Sequence, residues 1–285
     1  MPVHSSAVGK VLDVHHVDMT ARKALAYAAG IDDTSTYVFD DAREGGIIAP
    51  PQFCVSLEWP VVSGDLAYEA FQIEAAEKVR GVHVTKDSIF HKPIRPGMKL
   101  KTIGTVTGVR QARAGAHNTI KLQTIERDSG EVLVTSWTTR IIRDVDIVGG
   151  EISNEAVPRL PEASGIEQAS DRILIARQMP HIYSECADIW NPIHTERAVA
   201  LAAGLPDIIL HGTATWALVG REVVRAQCGG NPGQLKRLFS RFSAVVIPGQ
   251  EIKISLDEPK DSVIGFTVLN HLGQKAVSDG IAVVE

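Results

Sequence analysis

The sequence predicts an α+β protein built from two similar halves, and three observations predict it. Strand-rich stretches occur as a group in each half, Ala-rich helical stretches precede each group, and a turn motif recurs at a fixed offset. Phe90-x-x-x-Ile94-x-Pro96-Gly97 is matched 152 residues later by Phe242-x-x-x-Val246-x-Pro248-Gly249. Proline presets φ and glycine supplies the unusual dihedral, so Pro-Gly reads as a turn between strands. A hairpin turn follows in both halves, at Ser129-Gly130-Glu131 and at Leu272-Gly273-Gln274, and the recurrence reads as an internal repeat.

Taken along the chain, the first element is a helix over 21–29, rich in alanine and stopped by Gly30. Strands follow over 81–94, 98–109, 118–127 and 131–142, rich in β-branched residues. Residues 144–172 are polar, contain Gly and Pro, and show no apolar periodicity, so they read as a linker. A helix over 195–203 stops at Gly204, and a second runs over 213–227 with Trp216, Ala217, Val219, Val223 and Val224 as its apolar residues. The last strands are 235–247, 250–258, 262–270 and 275–284. The expected organisation is an N-terminal unit over 1–145, a linker over 146–172, and a C-terminal unit over 173–285.

Composition excludes several classes. At 285 residues, with 44% hydrophobic and 22% charged residues, the chain has ordinary globular composition, neither disordered nor fibrous. A net charge of −5 argues against a general nucleic-acid binder. Cys54, Cys186 and Cys228 are widely spaced and form no CxxC pair, which points to a reduced compartment. The first sixteen residues lack an apolar core like that of a signal peptide, and no run of eighteen apolar residues occurs, so the expectation is a cytoplasmic protein with no membrane partner. No Walker A, GxGxxG or GxSxG element is present. His15, His16 and Asp18 lack the further ligand spacing that a metal site needs, so no metal and no cofactor is expected.

The stretch that carries chemistry is Tyr183-Ser184-Glu185-Cys186-Ala187-Asp188-Ile189-Trp190-Asn191-Pro192-Ile193-His194, followed by Ile209-Leu210-His211-Gly212. A carboxylate and an imidazole at a helix entrance can share a water, activate it and return a proton. Gly212, at the start of a helix, offers a backbone N–H and a positive helix end to a developing oxyanion. The plainer reading of Asn191 and Pro192 is a helix cap and first helical residue. His181 and Tyr183 either line a pocket or pack. Lys236, Arg237 and Arg241, with Arg221 and Arg225, form a basic cluster in an acidic chain. It is either a solvated face or a contact for phosphates.

Asn191-Pro192-Ile193-His194, with an Asp upstream, His211-Gly212 downstream and Phe242…Pro248-Gly249 after it, resembles the hydratase 2 / MaoC-like dehydratase family. The resemblance covers nearly the whole chain. Tyr27 to Gly30, Ala49-Pro50-Pro51 and Phe90…Pro96-Gly97 are similar to the non-catalytic half of fused members. It implies a double hotdog fold, each unit an antiparallel sheet wrapped around a long helix. The activity it implies is hydration of a trans-2-enoyl thioester to an (R)-3-hydroxyacyl thioester, or the reverse, on coenzyme A or an acyl-carrier protein, without cofactor. A homodimer is implied as well. His194 matches the catalytic histidine, Asn191 and Pro192 the site-shaping turn, and Gly212 the oxyanion position, with His211 beside it. The family places its Asp five residues before the His; here Asp188 is six before and Ile189 stands at five. Either the loop bulges so that Asp188 still reaches the water, which is the preferred expectation, or the partner is absent, with Glu185 as a substitute. Trp190 is a reason for a bulge. The first unit carries no equivalent set and is expected to shape the acyl pocket. Two other classes stand beside the hydro-lyase. One is a hotdog thioesterase; the other is an inactive or half-active subunit of a hetero-oligomeric hydratase, which Ile189 favours.

Overall fold

The two Pro-Gly turns set the frame. Gly97 and Gly249 have φ of 93° and 86°, in the left-handed region that glycine enters without a Cβ clash. Each delivers the chain into a long strand two residues later. The computed structural model describes residues 2–74 and 80–285. Its helices are α1 (Ala21–Gly30), α2 (Thr36–Phe39), α3 (Cys54–Ser63), α4 (Asp65–Phe71), α5 (Met179–Ala187), α6 (Arg197–Ala202) and α7 (Gly212–Gln227). Its strands are β1 (Val3–His4), β2 (Val11–Asp18), β3 (Gly81–Phe90), β4 (Lys99–Ala112), β5 (Gly115–Glu126), β6 (Val132–Arg143), β7 (Ile147–Val148), β8 (Ile152–Ser153), β9 (Glu167–Leu174), β10 (Leu235–Phe242), β11 (Glu251–Asp257), β12 (Val263–Leu269) and β13 (Lys275–Val284).

The chain divides into two compact units. The first comprises Met1–Asp18, Leu57–His91 and Lys99–Arg159. Its main sheet is antiparallel in the order β2-β4-β5-β6-β3. Strand β4 alternates buried and half-exposed residues along its first eight positions, so Leu100, Thr102, Gly104 and Val106 face inward. Val106, Ile120 and Leu122 of the sheet pack with Leu12, Val61 and Phe71 in one apolar core. Gly104 lets Val61 close on the sheet, because a Cβ there would lie 2.7 Å from Val61 Cγ1.

The second unit comprises Met19–Ser56, Lys92–Met98 and Leu160–Glu285. Its sheet is antiparallel in the order β9-β11-β12-β13-β10. Strand for strand this is the order of the first sheet, which is the repeat expressed as topology. Helix α7 packs on β10 and β13 and is buried almost all round, from Ala214 to Val224. Gly220 leaves room for the Gln52 side chain against that helix.

The units do not follow the boundaries expected at 145 and 172. Met19–Ser56 belongs with the second unit because α1 packs on α5: Gly30 lies against Cys186, and the Tyr27 hydroxyl lies 3.4 Å from that of Tyr183. The segment read as linker ends inside β9, a strand exposed along nearly its whole length and, among the described residues, paired only along β11. With both faces in solvent, nothing selects alternating apolar residues. Among the described residues, no helix is long and apolar enough to cross a membrane.

Candidate active site

Helix α5 ends at Asp188, whose φ of 55° and ψ of 43° make it a left-handed C-cap. The Ser184 carbonyl accepts from both the Asp188 and the Ile189 N–H. This cap turns the chain so that Ile189 is buried at 3% exposure while Asp188 faces solvent. Trp190, 52% exposed, does not pull the turn inward around a cavity. Glu185 is exposed on α5.

Asn191 then caps a single 3-10 turn, Pro192–His194, its side-chain oxygen accepting from the Ile193 N–H. The turn presents His194, whose Nδ1 lies 2.9 Å from the Ile209 carbonyl oxygen. A carbonyl only accepts, so Nδ1 carries the proton and Nε2 keeps a lone pair. No hydrogen bond reaches Nε2 among the described residues. Burial pulls His194 down to about 4, partly opposed by the Ile209 bond, so the ring is neutral near pH 7.

The second motif is anchored by Leu210, whose N–H donates to the Val246 carbonyl at 2.8 Å. His211 is the N-cap of α7 and is 2% exposed. Its ring stacks on that of His194, centroids 3.7 Å apart and planes 25° from parallel. Its Nε2 lies 3.2 Å from Ser184 Oγ. Burial and the neighbouring His194 hold His211 well below the ordinary imidazole value. The Gly212 N–H, the first of α7, has no partner among the described residues and sits at the positive end of a sixteen-residue helix. Tyr183 is fully buried beside His211, ring centroids 5.0 Å apart, and burial pushes its phenol up.

The structure therefore gathers Asn191, Pro192, His194, His211 and Gly212. It forms no hydrogen bond or ion pair between Asp188 and His194 among the described residues. His181 bonds the Thr195 carbonyl, at 3.1 Å. The basic cluster is engaged by the chain's own groups. Lys236 pairs with Glu285 at 2.6 Å, Arg241 with Asp279 at 2.7 Å, and Arg237 is buried. Arg221 and Arg225 both pair with Glu222, each at 2.7 Å. In the sequence Ser184 has no role beyond its place in the stretch 183–194; a hydroxyl at a buried helical position four residues before the cap is the signal that marks it.

Comparison with known proteins bears on the family and the fold. Residues 169–274 match the MaoC like domain, and residues 6–136 match the FAS1-like, dehydratase domain region. A probable enoyl-CoA hydratase 2 of Dictyostelium discoideum is 26% identical over 65% of this chain, which spans 63% of that protein's length. The 3-hydroxyacyl-thioester dehydratase Y of Mycobacterium tuberculosis is 23% identical over 97% of this chain and 95% of its own. Among solved structures, a MaoC-like dehydratase from Phytophthora capsici superposes with a TM-score of 0.84 at 19% identity, covering 99% of this chain and 97% of that one. A Mycobacterium tuberculosis protein with a double hotdog fold superposes with a TM-score of 0.61 at 15% identity, covering 97% and 95%. At these identities the two structures establish the fold, a double hotdog.

Proposed function

This chain belongs to the MaoC-like dehydratases, and from that premise we propose that it is a hydro-lyase acting on a trans-2-enoyl or (R)-3-hydroxyacyl thioester. The observation that carries the reading is His194: a neutral, half-buried imidazole whose Nδ1 is committed to Ile209 and whose Nε2 is left as a base. The names of the relatives support the substrate class. Coenzyme A or an acyl-carrier protein carries the acyl group, and catalysis belongs to the segment 173–285.

In the hydration direction, water bound at His194 gives up a proton as its oxygen bonds to the β-carbon. The electron pair of the double bond moves toward the thioester oxygen, which faces the Gly212 N–H. A proton then returns to the α-carbon, and one water has been added. Asp188 is proposed as the second group on that water. Its place on the exposed cap means that the turn 188–190 must bring the carboxylate inward when substrate binds.

The test is the loss of enoyl-thioester ultraviolet absorbance with a panel of trans-2-enoyl-CoAs, short, long and branched. Saturable loss, with an (R)-3-hydroxyacyl product, is the expected result. Release of free thiol instead identifies a thioesterase. One observation favours a second reading, a subunit completed by another chain: buried Ile189 stands at the family's Asp position. Folded protein that is inert on the whole panel overturns self-sufficient hydration and leaves that reading.

A further inference from the structure

We propose that Ser184 is a positioning residue, whose hydroxyl holds His211 so that the His211 ring backs and orients the imidazole of His194. This rests on the hydro-lyase reading of the site.

One hydrogen bond, from Nδ1 of His194 to Ile209, fixes one point of the ring and leaves it free to swing about that contact. The face-to-face contact with His211, 3.7 Å between centroids, removes that freedom. The stack orients His194 only if His211 is itself held. His211 is the N-cap of α7, and its ring is held by the bond at Nε2 to Ser184 Oγ, 3.2 Å away, and by a hydrogen bond to the Ile189 backbone.

Ser184 is suited to this. It is 3% exposed on α5 and has two separate attachments. Its carbonyl closes the end of α5 by accepting from Asp188 and Ile189, and its hydroxyl reaches His211. One residue thus ties the left-handed cap to the histidine pair. A buried hydroxyl without a partner is costly, so alanine would be the cheaper residue here were the bond not used. The support extends further back. The Tyr183 ring flanks His211, its hydroxyl lies 3.4 Å from that of Tyr27, and Tyr27 donates to the Gln52 carbonyl at 2.9 Å. On this side the side-chain restraint on the histidine pair comes from Ser184, beside the Ile189 backbone, which also bonds His211.

Ser184→Ala, Ser184→Thr and the parent are compared by steady-state kinetics and by nitrogen-15 spectra of the imidazoles. Misplacement of a reacting group by about 1 Å costs on the order of 100-fold in rate. Ser184→Ala is expected to lose roughly 10- to 100-fold in kcat, with KM unchanged, and Ser184→Thr, which keeps the hydroxyl, to recover most of that loss. In the spectra, His194 of the parent shows the Nδ1–H tautomer, and Ser184→Ala shows a mixture of tautomers. A parent that turns over no enoyl thioester defeats the hydro-lyase reading, while the spectra still test the positioning. Ser184→Ala with the parent's kcat and an unchanged His194 spectrum overturns the proposal.

Discussion

A histidine with one nitrogen committed to a carbonyl has one nitrogen left for chemistry, and that asymmetry yields two predictions for His194 at the scale of the residue. His194→Gln keeps a polar side chain and removes the base, so kcat is expected to fall by about 10²–10⁴. Asp188→Asn is expected to fall in the same range if its carboxylate reaches the water, and a normal kcat removes it from the mechanism. The pH profile carries the second prediction. Burial places His194 at about 4, below the ordinary value, so Nε2 is already free of a proton in weak acid. On the acid side, kcat/KM should stay level from neutrality down to about pH 5 and decline only as pH falls through about 4. A decline already centred near pH 6.5 would mean an imidazole that the fold does not desolvate, contrary to the lowered value of His194.

At the scale of the element, the first unit contains a buried ion pair between a helix and a strand. Glu58 of α3 and Lys86 of β3 are joined with side chains only 6% and 1% exposed. Removing one partner leaves a charge without compensation in the interior. Lys86→Met alone is therefore expected to cost about 3–5 kcal/mol in denaturant unfolding, while Glu58→Leu with Lys86→Met is neutral or stabilising. A single variant as stable as the parent would show that the pair is not the restraint between α3 and β3. The same helix shows why part of the fold was hidden in the sequence. The expected strands appear within a few residues of their predicted ends because β4 and its counterparts alternate and are punctuated by Gly97, Gly130, Gly249 and Gly273, all at positive φ. Helix α3 is apolar on most of its surface and contains Pro60, so neither periodicity nor composition marks it. Strand β9 is hidden for the opposite reason, being exposed on both faces. At the site, the turn Asn191–His194 and the start of α7 were legible because capping residues name themselves. The outward cap at Asp188 was not, since one left-handed residue decides which of two neighbours is buried.

At the scale of the whole molecule, imidazoles desolvated by the fold link stability to pH. His83, partly buried and near Arg140 and Lys86, is held at about 3 by desolvation first and then by those charges. Burial brings His194 to about 4, and His211 lies well below its ordinary value. In the unfolded chain all three return to about 6.5. Between roughly pH 6.5 and 4 the unfolded state therefore binds protons that the folded state refuses, and stability must fall as pH falls. Each imidazole contributes a slope approaching roughly 1.4 kcal/mol per pH unit once the pH is well below 6.5. Carboxylates whose folded values are depressed, such as Glu126 held low by Ser129, act in the same direction but only below about 4.5. The window between about 6 and 4.5 thus isolates the histidines. Urea unfolding across that window should give a stability that decreases steadily toward acid, and His83→Gln should flatten the slope while lowering stability at pH 7. A parent protein equally stable at pH 6.5 and 4.5 would mean that the three rings accept protons in the folded state, and the neutral base assigned to His194 would fall with that result.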